Sequence, residues 1–578
     1  MKKAFRQVRS VHLCNPSGAA RITTRMRTSI QIARIVLPPI LIVAILITPV
    51  SSHTNARPMQ AANNTPGSEA CSSCHSEIYK SYIKTVMARA SGPAVNGVIT
   101  GEFDDKISGV RYRIYEQTGH VWMSYQRGSE LNGVRELLYF IGSGEKGRTY
   151  LFSDDGYLFE APINWYTREK RWNMAPAYIE SRDIPMNLPS YSSCLNCHTS
   201  GLQPRVPGTR NKFSGRPFLH DGITCERCHG TGDGHVSGKG PIVNPAKLAP
   251  DRRDSICMEC HFEGTVAVQL PGKHLYQFQA GDRLSDYVHY FVLGKNEADR
   301  AEALSQFEAL SLSQCKRKSG DRMWCGSCHD PHQEPAETDK AAYYRGKCLN
   351  CHGDGFAAKH HANQPDCRQC HMPSLPSADV AHTQSTDHRI LSNPRLPQLI
   401  TRVSGPTLEV FPQSESAQVS TRDRALGWYQ LAQRGVQDAA PEADIHLQKA
   451  VKEQPDDPDV LSALAFMDQR QGREKDAREL YGKVVKIKPR SNTAATNLGI
   501  LDARAGDLRD AVQLWQGAFA RVPYRSEIGM DLAMVFCADG QKDIARKYLE
   551  RVLEFNPDYS KARQLLGHLK ENSGQCKP

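Results

Sequence analysis

The chain predicts two regions of different class: loops and short helices with a small β-rich insertion over residues 57–390, then an all-α solenoid over 421–578. Three observations carry this. Of 18 cysteines, 14 lie in C-x-x-C pairs between Cys71 and Cys370. Between the first two pairs, residues from about 95 to 180 alternate aromatic or β-branched with polar side chains. From about residue 424 the chain repeats itself every 34 residues. A length of 578 residues exceeds one core, so several units are expected. Only 39% of residues are hydrophobic, so the interior needs apolar material from something other than side chains.

The repeat is the most regular feature. Pro455, Pro489, Pro523 and Pro557 are spaced by 34, as are Gly472, Gly506, Gly540 and Gly574, and Ala443, Ala477, Ala511 and Ala545. Leu464, Leu498, Leu532 and Leu566 hold one core position. This period with these residue types is the tetratricopeptide signature. Glycine ends the first helix of each unit, alanine lets the second pack closely, and proline closes the unit. The unit near 424–457 is degenerate, and 560–575 reads as a capping helix. Stacked helix pairs present a concave face that usually binds another protein.

The insertion contains VRYRIYEQ, VWMSYQ and RTYLFSDDGYLFEAPINWY, broken by Gly and Asp-Asp-Gly turns, which reads as a small sheet. Residues 391–420, rich in Pro, Ser and Thr, read as a linker.

Residues 1–34 hold eight Lys or Arg and no acid, followed by an apolar run from Ile35 to Val50 and then small residues. This is a secretory signal with cleavage expected after Ala56, translation alternatively starting at Met26. The run holds three prolines and is shorter than the roughly 20 residues of a spanning helix. An uncleaved anchor over 35–50, holding the protein at the inner membrane, is the other reading. The formal net charge of +11 owes eight charges to the segment before residue 57, so the mature chain is near +3. That removes the support for a nucleic-acid partner.

Each cysteine pair is followed directly by histidine. The seven motifs are Cys71-Cys74-His75, Cys194-Cys197-His198, Cys225-Cys228-His229, Cys257-Cys260-His261, Cys325-Cys328-His329, Cys348-Cys351-His352 and Cys367-Cys370-His371. Zinc ribbons and thioredoxin-like pairs also use C-x-x-C, but neither requires the histidine. C-x-x-C-H is the attachment motif of c-type haem: two thiols form thioethers with the vinyl groups and the histidine is the proximal ligand. Seven covalent haems between residues 71 and 390 would supply the missing apolar interior. The expected fold is a multihaem cytochrome c domain, with loops and α-helices around stacked haems and a β-rich insertion, followed by the tetratricopeptide solenoid.

An electron-transfer haem needs a sixth ligand, usually His or Met, whereas a catalytic haem keeps that position open. Ten histidines between 57 and 420 lie outside the motifs: His120, His220, His235, His274, His289, His332, His360, His361, His382 and His388. His235, His332, His382 and His388 lie in short polar or glycine-rich stretches with no core to join. One of His360 and His361 is expected to ligate. His274 and His289 are weaker candidates, and His120 falls in the β-rich unit. After the first motif no histidine follows for 44 residues. Met87, 12 residues past His75 on an expected helix, could fold back over that haem and raise its potential, or could simply pack. If it does not bind, the haem at His75 is the candidate open site.

CERCHGTGDGHV, IVNPAKL, WCGSCHDPH, CRQCHMP and DVAHTQSTDHRI resemble a group of exported bacterial multihaem cytochromes fused to tetratricopeptide repeats. Their haem region is similar to the tetrahaem electron acceptor of hydroxylamine oxidoreductase, and more distantly to pentahaem nitrite reductase and octahaem hydroxylamine oxidoreductase. The resemblance covers about 68–390 plus the repeats. It implies a mostly bis-histidine wire with His235, His332, His361, His382 and His388 bound to neighbouring haems. No C-x-x-C-K motif and no eighth motif occurs, and Met87 stands where the group often has histidine.

The expected function is a periplasmic electron carrier whose repeats dock a redox partner. The alternative is an oxidoreductase acting on a small nitrogen or sulfur oxyanion at one open haem, and a third reading is a scaffold. Of the other cysteines, Cys14 lies in the presequence, Cys315 lies near the fifth motif, and Cys537 and Cys576 could pair in an oxidising compartment.

Overall fold

The computed structural model describes residues 67–184, 186–293, 305–361, 364–374, 386–392, 407–411, 419–436, 438–571 and 576, without the side chain of His361. The presequence, its apolar run and His382 lie outside the described residues. Among the described residues no helix is long and apolar enough to cross a membrane.

The β-rich unit is one antiparallel eight-stranded sheet. Its strands are β1 (Ser91–Pro93), β2 (Gly101–Asp104), β3 (Arg111–Gln117), β4 (His120–Arg127), β5 (Leu131–Ile141), β6 (Gly147–Asp154), β7 (Tyr157–Tyr166) and β8 (Arg171–Met174). They pair in sequence order from β2 to β8, and β1 adds to β5. The alternation predicted from sequence sets the inner face: Tyr112 and Ile114 on β3 and Val121, Met123 and Tyr125 on β4 are all buried. Register shifts on β5 and β6 bend the sheet. Its ends curl together, and Gly101 on β2 lies so close to Trp172 on β8 that a Cβ would stand 3.0 Å from the indole.

Beyond the sheet, β9 (Thr199–Leu202) and β10 (Phe218–Asp221) form a hairpin. A second sheet joins β11 (Val266–Gln269), β12 (Val288–Leu293) and β13 (Leu408–Phe411). β13 falls inside the stretch expected to be linker. Leu408 buries there against the first solenoid helix, so four residues of that stretch become an edge strand.

The solenoid consists of helix pairs Thr421–Gln433 with Ala439–Glu453, Pro458–Arg470 with Glu474–Ile487, Asn492–Ala505 with Leu508–Arg521, and Ser526–Ala538 with Lys542–Phe555, followed by Ser560–Lys570. Ala443, Ala477, Ala511 and Ala545 are fully buried at the helix crossings. Gly472, Gly506 and Gly540 take φ of +79°, +93° and +79° in the turns between paired helices, conformations glycine adopts without steric cost. Cys537 and Cys576 are disulfide-bonded, Cα to Cα 5.5 Å, which ties the chain end to the fourth pair.

The solenoid does not stand apart. Its first helix packs on the second sheet, where Leu426, Trp428 and Leu431 meet Val266, Val268, Phe291 and Leu408. Its last helices pack on the large sheet. Tyr157 and Phe159 of β7 meet Tyr524 and Phe555 edge-on or tilted, with ring centres 5.4–5.9 Å apart. Asp558, almost fully buried, accepts from Arg127 at 2.5 Å and from the Ile184 amide at 2.9 Å. The repeats therefore strap the motif-bearing region from one sheet to the other.

One half-buried acid costs the solenoid stability. Burial, and next Glu527 one turn away, push Asp531 from an ordinary 3.8 up to about 6. Its pKa is higher folded than unfolded, so it costs stability as pH rises through that window. Asp531→Asn should stabilise the protein by about 1–2 kcal/mol at pH 7.5 and by almost nothing near pH 4. Paired thermal melts at the two pH values check this, and an equal shift at both would rule it out.

Candidate haem-binding site

Four of the motifs occupy the last turn of a helix or a short helix of their own, Ser192–His198, Glu226–His229, Pro250–His261 and Arg368–His371, while the first runs from the end of the helix Glu69–Ser72 through a turn to His75. The fifth sits on a 3-10 turn, Cys325–Ser327. The sixth lies within Lys340–His361, which kinks at Gly353 directly after His352. Positions i, i+3 and i+4 share a helix face, so this local structure turns both thiols and the imidazole the same way. The turn is closed by the histidine amide donating to the first cysteine carbonyl, at 2.9 Å for His75, 3.0 Å for His229, 2.9 Å for His329 and 3.0 Å for His371.

The motifs surround a cavity of about 1830 Å³. His198, His261, His329, His352 and His371 line it, with thiols of six motifs, edges of both sheets and side chains of the first solenoid helices. Thiols of different motifs lie within hydrogen-bond reach of one another: Cys71 with Cys225, Cys197 with Cys260, Cys257 with Cys325, and Cys348 with Cys367.

Four motif histidines face a second histidine ring. His75 faces His235 at 6.3 Å and 20° between planes, and His229 faces His332 at 6.0 Å and 17°. His329 faces His388 at 6.4 Å and 27°, and His371 faces His360 at 6.3 Å and 27°. An imidazole nitrogen bonds a metal at about 2.0–2.1 Å, and its ring centre lies about 1.1 Å further back, so one iron between coaxial rings sets their centres about 6.2–6.4 Å apart. Ordinary aromatic pairs also fall at about 4.5–7 Å. The recurrence at four motif histidines, each with a partner from outside the motifs, is what points to a metal between them.

The other ring nitrogens support this. Nδ1–H of His229 donates to the Val243 carbonyl at 2.8 Å, that of His371 to Leu391 at 2.5 Å, and that of His388 to Thr386 at 2.8 Å. Nδ1 of His332 bonds Asp330 at 3.2 Å and Nδ1 of His329 bonds the Tyr344 hydroxyl at 3.3 Å. A proton fixed on Nδ1 leaves Nε2 with its lone pair toward the iron position. Burial lowers the pKa of His229, His261 and His388 and brings His329 down to about 4, which keeps these rings neutral. Among the described residues no three His, Cys, Asp or Glu converge as a metal cage, whereas a haem iron takes only two ligands from the protein. The donor set thus fits c-type haem.

Several expectations change. The helix after the first motif ends at Tyr82, short of Met87. Thr85 donates to the Tyr82 carbonyl and accepts from the Ala88 amide, a local alternative to continuing the helix. Met87 sits in the following turn, its carbonyl accepting from Ile223, and the ring across from His75 is His235. Of the two adjacent histidines, His360 faces His371. His289 is bound to Asp423 at 3.0 Å and serves the strap. His120 pairs with Glu136 on the exposed sheet face.

Sequence reasoning also missed a knot between motifs. Asn196, Arg227 and Glu259 each stand between the two cysteines of a motif. Glu259, buried, accepts from Asn196 at 2.9 Å and from Arg227 at 2.7 Å, and Arg227 also donates to the Asn196 carbonyl at 3.1 Å. A charged pair inside C-E-R-C-H and C-M-E-C-H was the available signal.

Residues 166–230, which carry the second and third motifs, match the family of cytochrome c554 and c-prime. Residues 503–569 match the tetratricopeptide repeat. The chain joins a cytochrome c554-like segment to tetratricopeptide repeats. No curated protein matches it. Among solved structures, MamA from Desulfovibrio magneticus RS-1 shares 19% identity over 27% of this chain and 88% of that one, TM-score 0.24. A tetratricopeptide repeat protein from Parabacteroides merdae shares 18% over 26% and 60%, TM-score 0.24. PilF from Pseudomonas aeruginosa shares 23% over 26% and 70%, TM-score 0.24. The cytochrome match implies covalently bound haem, and the repeats imply protein–protein interaction.

Proposed function

We propose that this is an exported, periplasmic electron-transfer protein that moves single electrons through seven covalently bound c-type haems, one at each motif. The observation that carries the reading is the set of four opposed histidine pairs, because six-coordinate iron suits electron transfer rather than substrate binding. Bound haem supplies the one-electron chemistry. The cysteines hold each macrocycle, the Nδ1 bonds orient the imidazoles, and the apolar walls and solenoid exclude water. The adjacency of thiols gives an order differing from the chain order: first, third, fourth, fifth, sixth and seventh motifs as a line, with the second beside the fourth. The third-to-fourth and fifth-to-sixth steps rest on the proximity of Cys228 to Cys260 and of Cys328 to Cys351. The Cys537–Cys576 disulfide and the presequence support an oxidising compartment. The exposed solenoid surface is the docking face for a redox partner.

The holoprotein, matured in a host that attaches c-type haem, should carry seven haems per chain by pyridine haemochromogen assay and retain them on denaturation. It should also exchange electrons reversibly over a spread of potentials. Fewer than seven haems, or haem released by denaturant, would overturn the count, and irreversible reduction would overturn the role.

A further inference from the structure

We propose that the cleft between the loop 203–213 and the second and third solenoid helix pairs is a binding site for a small anionic oxygen group, either a free inorganic oxyanion or a haem propionate. Cations converge there from three separate stretches of chain. Arg205 and Arg210 come from the loop, and Arg205 donates to the Arg210 carbonyl at 3.3 Å. Lys488, Arg490 and Arg521 come from the solenoid. Gly208, at φ +85°, lets the loop backbone lie directly on these arginines: a Cβ there would stand 2.8 Å from Cδ of Arg521 and 3.2 Å from Cδ of Arg490. Asn492 stitches the two sides, donating to the Gly208 carbonyl at 3.2 Å and accepting from Nε of Arg521 at 2.7 Å.

The helix Asn492–Ala505 points its N-terminus into the same cleft. Its second residue, Thr493, accepts from Arg210 at 3.5 Å. A 14-residue helix presents partial positive charge at that end. The cations are also mutually unfavourable. Burial lowers the pKa of Arg205 and Arg521, and Arg210 and Arg490 respectively lower them further. His274, beside them, is lowered by burial and then by Arg205 and Lys488. Lys488 pairs with Asp459 at 3.5 Å, and Asp459 is already shared with Arg422. Arg205, Arg210 and Arg521 are half-buried, and cations that repel one another there stay packed at less cost when an anion sits between them.

The cleft adjoins the haem cavity, since Thr493 and Leu275 both line it. The turn Leu275–Gln277, which begins next to His274, packs on the helix carrying the second motif. An anion in the cleft therefore lies beside that motif. This inference stands on the cation cluster and goes beyond the electron-transfer reading.

The test is titration calorimetry of the full-length holoprotein with nitrite, sulfite and inorganic phosphate at low salt, in wild type and in Arg490→Gln and Arg205→Gln, with potentiometric titration of the same samples. Arg490 is exposed, so its replacement leaves the fold intact, which a thermal melt verifies. Saturable binding weakened about tenfold by either substitution supports the site with a free oxyanion as occupant. No binding, but a downward shift in the potential of one haem in both variants, supports it with a propionate as occupant. No anion binding with unchanged potentials, or anion binding that neither substitution weakens, overturns it.

Discussion

Replacing His235 with alanine is expected to convert one ferric haem from low-spin to high-spin and to create one site where carbon monoxide binds after reduction. The argument rests on reach. His235 lies 160 residues from His75 in the chain, yet its ring stands 6.3 Å away and nearly parallel. Gly230 and Gly232, at φ +76° and +69°, turn the segment after the third motif so that His235 reaches the first motif rather than its own neighbour His229. His229 is already opposed by His332. No side chain replaces the imidazole in the variant, so the sixth position opens to water or gas, and loss of the ligand shifts that haem's potential. Met87→Ala should leave spin state and carbon monoxide binding unchanged, since the turn that holds Met87 is fixed through its backbone. Magnetic resonance of the ferric protein and optical titration of the reduced protein read both variants. A spin change in Met87→Ala, or none in His235→Ala, would reverse the assignment.

What the sequence disclosed, and what it did not, follows the range of the interactions. The C-x-x-C-H motif is a five-residue device and the tetratricopeptide unit a 34-residue one, so both are written locally and both read directly. The sheet was legible for the same reason: its strands are neighbours in sequence, and alternation alone gives β3 and β4 their inner faces. Ring pairing is a long-range property. His235 crosses to the first motif, His332 to the third and His388 to the fifth. Each closes a loop of tens of residues or more whose path no local pattern encodes. Proximity in sequence made Met87 the natural partner for His75, and a threonine competing for backbone bonds removed the helix that would have carried it. Between His360 and His361 the choice is one of helical phase: His360 stacks on Phe356, one turn earlier, at a ring separation of 5.0 Å, and Phe356 meets His352 across the kink at 5.1 Å.

The solenoid's attachment was hidden for a related reason. Its first unit looked degenerate as a repeat because its residues serve the cytochrome region. Arg422 shows this most clearly. Its side chain is 3% exposed and donates to Asp423 at 2.6 Å, Asp457 at 2.7 Å, Asp459 at 2.9 Å and the Gln269 carbonyl at 3.2 Å. One guanidinium thus joins the first helix pair, the second pair and β11. Asp423 in turn holds His289 of β12.

Replacing Arg422 with alanine is therefore expected to release the first helix pair from the second sheet, at a cost of about 3–5 kcal/mol, the cost of breaking a buried ion pair by removing one partner. Most of that cost comes from the acids left behind. Asp423 is buried, which raises its pKa, but bonds from His289, Ser420 and Arg422 hold it below the usual carboxylate value on balance. A carboxyl with a depressed folded pKa contributes stability above its unfolded pKa and loses it as pH falls through the folded value. Without Arg422 the depression shrinks, so the variant should lose this contribution at neutral pH and depend less on acidification than wild type. Arg504, which makes a half-exposed pair with Glu474, is the control, and its alanine variant should cost less than about 1 kcal/mol. A chain of several units need not unfold in one step. Amide hydrogen exchange along Thr421–Gln433 is therefore the sharper measurement, because it reads the opening of this helix directly. Protection there in Arg422→Ala equal to that in Arg504→Ala would mean that the apolar contacts of Trp428 and Leu431 alone hold the strap.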